Sequence, residues 1–260
     1  MNGLNISFFQ YDIAWENKDS NLSRVEQVMA SLSGKSDLLV LPEMFSTGFS
    51  MSSRNLAEPS DGTTISALCR WAGRYDLAVA GSFIAVENGN YYNRAFFLAP
   101  QGDSYFYDKR HLFRMGAEPE HFSPGNRQQV FSYKGWNLSL LICYDLRFPV
   151  WSRNVDNRYD FLLYCANWPA ARTDAWLSLL KARAIENCAY VAGVNRIGTD
   201  GNGVEHSGYS AVFDYKGNLL NEFSASEQLV TLSLSQEALV CFREKFPVWK
   251  DADRFIIEGI

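Results

Sequence analysis

The segment LLICYDLRFPVW, Leu140 to Trp151, runs an apolar stretch straight into a cysteine and then breaks. Its start completes WNLSLLI, ending at Ile142, which has the length and composition of a buried strand. Cys143 follows at once, and Tyr-Asp-Leu-Arg-Phe-Pro after it is polar and closes on a proline, as in a sharp turn into a helix start. A thiol at such a strand end lies near backbone N–H groups, which depress a thiol pKa and stabilise an oxyanion. An arbitrary cysteine is usually a small buried packing residue, so the segments around it decide.

Outward from this segment, strands and helices alternate. Upstream, Leu4 to Tyr11 reads as a strand, Ser20 to Leu32 as a helix stopping at Gly34, and Asp37 to Leu41 as a short buried strand. A helix around Ile65 to Tyr75 precedes strands from Leu77 and from Tyr91, joined as a hairpin through Glu87-Asn88-Gly89-Asn90. Lys109 to Gln128 has little periodicity and contains Gly116, Pro119, Pro124 and Gly125, so a long functional loop is expected. Downstream come VFSY, a strand from Tyr159, a helix Asp174 to Asn187, YVAGVN from Tyr190, strand candidates SGYSAVFD and QLVTLSL, and a helix Gln236 to Lys245. No linker or repeat interrupts this order, so one α/β domain over residues 1–260 is expected, a sheet-rich sandwich with mixed strand connections.

Composition narrows the function. The 260 residues carry 24 Lys+Arg against 29 Asp+Glu, a net charge of -5, which leaves no basic excess for a polyanion and argues for a small ligand over nucleic acid. Met1 to Phe9 lacks the pattern of a signal peptide, and no run approaches the ~18 apolar residues of a spanning helix, so no membrane and a cytoplasmic location are expected. The five cysteines, Cys69, Cys143, Cys165, Cys188 and Cys241, are irregularly spaced without a CxxC pair, which argues against a disulfide framework and against a metal site. No G-x-G-x-x-G or Walker A pattern follows a strand, so no cofactor is implied.

Two further strand ends carry chemistry. Glu43 stands directly after LLVLP, where apolar surroundings would raise a carboxylate pKa into the range of a general base. Lys109 ends the aromatic run YFYDK and could hold a fixed positive charge. The histidines His111, His121 and His206 show no Cys-His signature, and G-x-S-x-G is absent.

With Glu43 in L-P-E, Lys109 before H-L-F and Cys143 in I-C-Y-D-x-R-F-P, in that chain order, the sequence resembles the carbon-nitrogen hydrolase (nitrilase) superfamily. SPG at Ser123 to Gly125, Asn167 in NWPAAR and KARAIEN at Lys181 to Asn187 extend the resemblance over nearly the whole chain. It implies an α-β-β-α sandwich with mixed sheets flanked by helices, and a homodimer or larger homo-oligomer. It also implies Cys143 as nucleophile, Glu43 as general base, and Lys109 with a backbone N–H near Tyr144 as oxyanion partners. The family's second glutamate precedes a P-G pair; Glu118 and Glu120 both precede Pro124-Gly125, and Glu118 is preferred by its distance from that pair.

DKRHLFRMGAEPEHFSPG, ANWPAARTDAW and the segment Gly208 to Ser210 look most like the omega-amidase branch. That resemblance implies a small-molecule amide substrate, a short 2-oxo acid monoamide such as 2-oxoglutaramate or 2-oxosuccinamate. Its remote carboxylate calls for a cation, for which Arg172, Arg147 and Arg196 are the candidates. Phe45, Phe113, Phe122, Tyr144, Phe148 and Trp168 lie in or beside the motif loops and could wall a dry pocket. The alternatives are hydrolysis of an N-carbamoyl amine, an aliphatic amide or a nitrile, and a catalytically silent binding protein on the same fold. The other four cysteines are expected to be inert packing residues.

Overall fold

The computed structural model describes residues 3–258. β1 (Gly3–Gln10) leads through α1 (Lys18–Leu32) to β2 (Leu38–Val40), and α2 (Ser53–Leu56) and α3 (Thr63–Tyr75) precede β3 (Ala78–Glu87), β4 (Asn90–Leu98) and β5 (Ser104–Asp108). The short helix α4 (Glu118–His121) is followed by β6 (Val130–Tyr133), β7 (Trp136–Ile142), β8 (Phe161–Ala166), α5 (Thr173–Asn187) and β9 (Tyr190–Asn195). A small hairpin, β10 (Ile197–Thr199) and β11 (Glu205–Ser207), comes before β12 (Ala211–Phe213), β13 (Gln228–Ser235) and α6 (Gln236–Lys245).

The strands form a six-stranded sheet, β13-β1-β2-β3-β4-β5, and a five-stranded sheet, β12-β9-β8-β7-β6. Both are mixed, with β1, β2 and β3 parallel in one and β7, β8 and β9 parallel in the other. Side-chain alternation along β2 explains the layering. Leu38 and Val40 enter one apolar layer with Trp136, Leu138 and Leu140 of the second sheet, whereas Leu39 and Leu41 pack with Val25 and Met29 of α1 and Leu68 of α3. Burying a side chain of that size contributes about 1.5–3 kcal/mol, so the layer between the sheets fixes the frame.

Helical spacing does the same on the outside. α1 buries Asn21, Val25, Met29 and Leu32 along one stripe, and its start is capped by the Asn17 side chain, which accepts from the Ser20 N–H. α5 buries Trp176, Leu180 and Ala184 and packs against β9 at Gly193. A Cβ there would lie 2.4 Å from Leu180 Cδ1, so only glycine admits the helix this close. The resulting order is helix, sheet, sheet, helix.

Three differences from the sequence reading have local causes. The segment after Lys109 is not wholly irregular, since it holds a 3-10 turn at Arg114–Gly116 and then α4. The strand expected over SGYSAVFD shortens to β12, because Gly208 (φ 71) and Tyr209 (φ 52) are left-handed. That kink carries the chain against Gln10, whose side chain donates to Ser224 O and Ser226 O and accepts from Ser210 N–H. Cys69 is exposed on α3 instead of packed, whereas Cys165 and Cys188 are buried and Cys241 is half-buried. Among the described residues no helix is long and apolar enough to cross a membrane.

Candidate active site

The parallel strands β2, β7 and β8 deliver Glu43, Cys143 and Asn167 to one edge of the molecule just past their last paired residues. Glu43 N–H donates to Ala166 O at 3.4 Å, so the ends of β2 and β8 are tied across the two sheets. Both chains turn sharply there. Cys143 (φ 40) and Met44 (φ 43) are left-handed, a conformation a side chain tolerates only when its surroundings hold it, and such strain concentrates at functional sites.

Asp145 holds the cysteine turn. Its buried carboxylate accepts from Ile142 N–H (3.1 Å), Tyr107 Oη (2.8 Å) and His111 N–H (3.0 Å), and it pairs with His111 Nδ1 at 2.8 Å. These bonds join the turn at Cys143–Arg147 to the segment that carries Lys109. Burial, and then the nearby Asp145 charge, push the Tyr107 phenol far up, so it stays a neutral donor. Arg183 adds a bond to Leu146 O at 2.7 Å.

At the centre lies a buried ionic cluster. Lys109 Nζ donates to Glu43 Oε1 at 2.8 Å and to Glu118 at 3.0 and 2.9 Å, and all three side chains are fully buried. Asn93 Nδ2 bridges the same carboxylates, at 2.7 Å to Glu43 and 3.0 Å to Glu118, while Ser82 Oγ donates to Asn93 Oδ1 and accepts from Met44 N–H. Glu118 also accepts from Phe113 N–H, and Glu120 is exposed outside the cluster.

The electrostatics follow from burial. Burial alone would lower the Lys109 pKa, but Glu118, Glu43 and the thiol side outweigh it and hold the ammonium charged. Burial pushes the Glu118 carboxyl up, with Glu43 adding to the push and Lys109 opposing it. The Cys143 thiol is raised well above its ordinary value, first by burial and then by Glu43, to which it hydrogen bonds. This corrects the expectation of a depressed thiol pKa. Lys109 and the Asn167 backbone pull the other way, yet desolvation beside a carboxylate wins, so the resting group is a protonated thiol next to the Glu43 side chain.

Cys143, Glu43 and Lys109 open into a cavity of about 510 Å3, a size suited to a small substrate. Phe113, Tyr144 and Trp168 wall it, and Arg147 and Arg172 stand at its exposed side. The guanidiniums lie over aromatic rings, Arg147 over Trp168 at 4.9 Å and Arg172 over Phe113 at 5.5 Å, and neither pairs with a carboxylate among the described residues. The turn carrying Arg172 is fixed by Trp168 Nε1, which donates to Arg172 O at 2.9 Å.

Other residues singled out in the sequence lie elsewhere. Arg196 is buried outside the cavity wall, bonded to Asp12 Oδ1 at 2.6 Å and Ile197 O at 2.9 Å, and is structural. Phe148 does not line the cavity; it stacks on His111 at 3.7 Å and meets Tyr144 edge-on, supporting the wall from behind. Phe45 packs in the layer under α1 and α3, and Phe122 packs with Met44 and Ile84.

With this geometry, known proteins give a consistent match. The carbon-nitrogen hydrolase family model matches residues 5–241. The chain belongs to the carbon-nitrogen hydrolase family. The omega-amidase YafV of Escherichia coli K12 is 42% identical over 98% of this chain and 99% of its own, and a 2-oxoglutaramate amidase of Bacillus subtilis is 33% identical over 95% and 96%. A crystal structure of a Xanthomonas campestris CN-hydrolase superfamily protein superposes with a TM-score of 0.96, at 39% identity over 99% of this chain and 100% of that one. The nitrilase-type α-β-β-α sandwich is therefore the fold of this carbon-nitrogen hydrolase.

Several residues of this hydrolase's site escaped the sequence reading. Asn93 and Ser82 sit inside strands β4 and β3 as polar breaks in apolar runs, a signal that their burial explains in hindsight. Asp145 lies in the segment Ile142-Cys143-Tyr144-Asp145, but the bonds that give it meaning come from residues 34 and 38 positions away. His206 on β11 lines the cavity and is buried, where burial first, and then Arg196, lower its pKa and keep it neutral.

Proposed function

We propose that the protein hydrolyses the terminal amide of a short 2-oxo dicarboxylic acid monoamide, 2-oxoglutaramate or 2-oxosuccinamate, through a thioester on Cys143. The observation that carries this reading is a thiol, two carboxylates and one ammonium in one buried cluster, opening on a small cavity that carries two guanidiniums paired with no carboxylate among the described residues. The similarity to an omega-amidase and to a 2-oxoglutaramate amidase supports the choice of substrate.

An amide demands three services: a strong nucleophile, charge stabilisation at the carbonyl oxygen, and a proton for the leaving nitrogen. Glu43 takes the thiol proton as Sγ attacks the carbonyl carbon. Lys109 Nζ and the Tyr144 backbone N–H stabilise the oxyanion. Collapse breaks the C–N bond as Glu43 returns the proton to nitrogen, ammonia leaves, and the acyl group remains on sulfur. Glu43 then deprotonates a water that attacks the thioester, and its proton goes back to Cys143 as the acid departs. Glu118 acts through Lys109 by fixing the ammonium between the Glu43 and Glu118 side chains.

Arg172 and Arg147 would bind the substrate carboxylate, with Tyr144 and Trp168 as walls. The same guanidiniums disfavour an ammonium at the 2-position, which favours the 2-oxo acid over the amino acid. Ammonia release across 2-oxoglutaramate, 2-oxosuccinamate, glutamine, asparagine, simple aliphatic amides and N-carbamoyl amines tests this. The 2-oxo monoamides should be turned over fastest; a preference for glutamine over its oxo analogue contradicts the assignment. Arg172→Leu should raise KM for the preferred substrate by about 10- to 100-fold while leaving kcat within a few fold, the size of a lost charge-assisted contact. The resemblance carries a cytoplasmic homodimer or larger assembly into the same proposal, and a monomer in light scattering would contradict the second part.

A further inference from the structure

Asn167 has more fixed geometry than a wall residue needs. Its backbone N–H donates to Glu43 Oε2 at 2.8 Å and lies close enough to Cys143 to act on the thiol, and its Nδ2 donates to Glu43 O. With Nδ2 held on a carbonyl, the amide orientation is set and Oδ1 is the free end. The residue is 6% exposed and lines the cavity beside Cys143, yet Oδ1 has no hydrogen-bond partner among the described residues. A buried acceptor left unpaired is costly and calls for a donor supplied from the cavity.

Asn167 shares the cavity wall with Cys143 and Glu43, and its backbone N–H sits on the Glu43 carboxylate, so a donor to Oδ1 comes from what is bound there. None of the cations of the site donates to it: Lys109 Nζ bonds Glu43 and Glu118, and Arg147 and Arg172 lie over Trp168 and Phe113. In a substrate attacked by Cys143 and protonated by Glu43, the group at that point is the leaving amide nitrogen. It carries N–H bonds whose donor strength grows as the nitrogen is protonated. We propose that Asn167 Oδ1 accepts a hydrogen bond from the scissile –NH2 and selects amides over esters.

This inference rests on Cys143 acting as the nucleophile, and is independent of which amide is preferred. The bond strengthens from amide to protonated intermediate, so it stabilises the transition state beyond the ground state. An ester leaving group offers no N–H, and its alkoxy oxygen would face the Oδ1 lone pairs. Asn167 therefore makes the site an amidase in preference to a general thiol esterase.

The test compares an amide with the methyl ester of the same acid in the unsubstituted protein, Asn167→Ala and Asn167→Ser. The pair is 2-oxoglutaramate and the methyl ester of the same acid, or whichever amide of the panel is fastest with its own methyl ester. Loss of the Nδ2 bond to Glu43 O would slow both reactions, so the ratio is the readout. The amide-to-ester ratio of kcat/KM should fall about 10- to 100-fold in Asn167→Ala. It should fall less in Asn167→Ser, whose hydroxyl keeps an acceptor and which stands in should the alanine variant not fold. Equal losses on both substrates, or an unchanged ratio in the serine variant when alanine is insoluble, overturn the inference. An unsubstituted protein inactive on every amide and ester would overturn the thiol-hydrolase reading itself, and this inference with it.

Discussion

Cys143→Ala is expected to lower ammonia release by about 10⁴-fold or more while leaving the melting temperature within a few degrees of the unsubstituted protein. The first part follows from the division of labour. Removing the sulfur leaves Lys109, Glu43 and the oxyanion donors in place, but with no atom to form the acyl intermediate, and Glu43 would have to drive water onto an unactivated amide. The second part follows from burial. Cys143 is 8% exposed at the cavity wall, and its side chain supplies one sulfur to the core. Its thiol sits beside Glu43 with a strongly raised pKa, so losing it removes no favourable charge pair. Ammonia assay and thermal unfolding on the same preparation decide it; retained turnover would move the nucleophile elsewhere.

Lys109→Met should be damaging in a different way. The ammonium is the only cation bonded to Glu43 and Glu118 among the described residues, and all three groups are fully buried. Removing one partner of a buried pair leaves uncompensated charge and costs about 3–5 kcal/mol, which corresponds to a fall of roughly 10 °C in Tm for a domain of this size. Loss of the oxyanion partner should reduce kcat by about 10²- to 10³-fold in addition. The double variant Lys109→Met/Glu118→Gln separates the causes. Neutralising one carboxylate should restore part of the lost Tm and none of the lost activity, whereas a Tm unchanged from the single variant would mean that lost packing, not charge, set the cost.

Much of this site stood in the sequence because its principal groups sit at strand ends. Glu43, Cys143 and Asn167 each follow a run of apolar residues that can only be a buried strand, and parallel strands ending at one edge bring such residues together. Lys109 follows β5 in the same manner. Asn93 and Asp145 were opaque for the opposite reason, since their importance comes from partners far along the chain. The Cys143 pKa misled because the turn suggested donors, while the burial that outweighs them, and the Glu43 carboxylate beyond β2, arise only in the folded chain. Arg196 and Phe148 were near the motifs in sequence, but side-chain direction sent one into an ion pair with Asp12 and the other behind Tyr144. The hairpin β10–β11, too short to show a period, brought His206 to the cavity unannounced.

The central claim is that Cys143, though buried and protonated at rest, is the thiol activated toward amide-like carbon. Cys69 provides an internal standard, as an exposed thiol outside the site. The native protein treated briefly with acrylamide, a primary amide bearing an electrophilic carbon, and then digested for peptide mass spectrometry should carry the adduct on Cys143 before Cys69. Label on Cys69 with Cys143 unmodified in the folded protein, and both labelled equally after denaturation, would contradict it.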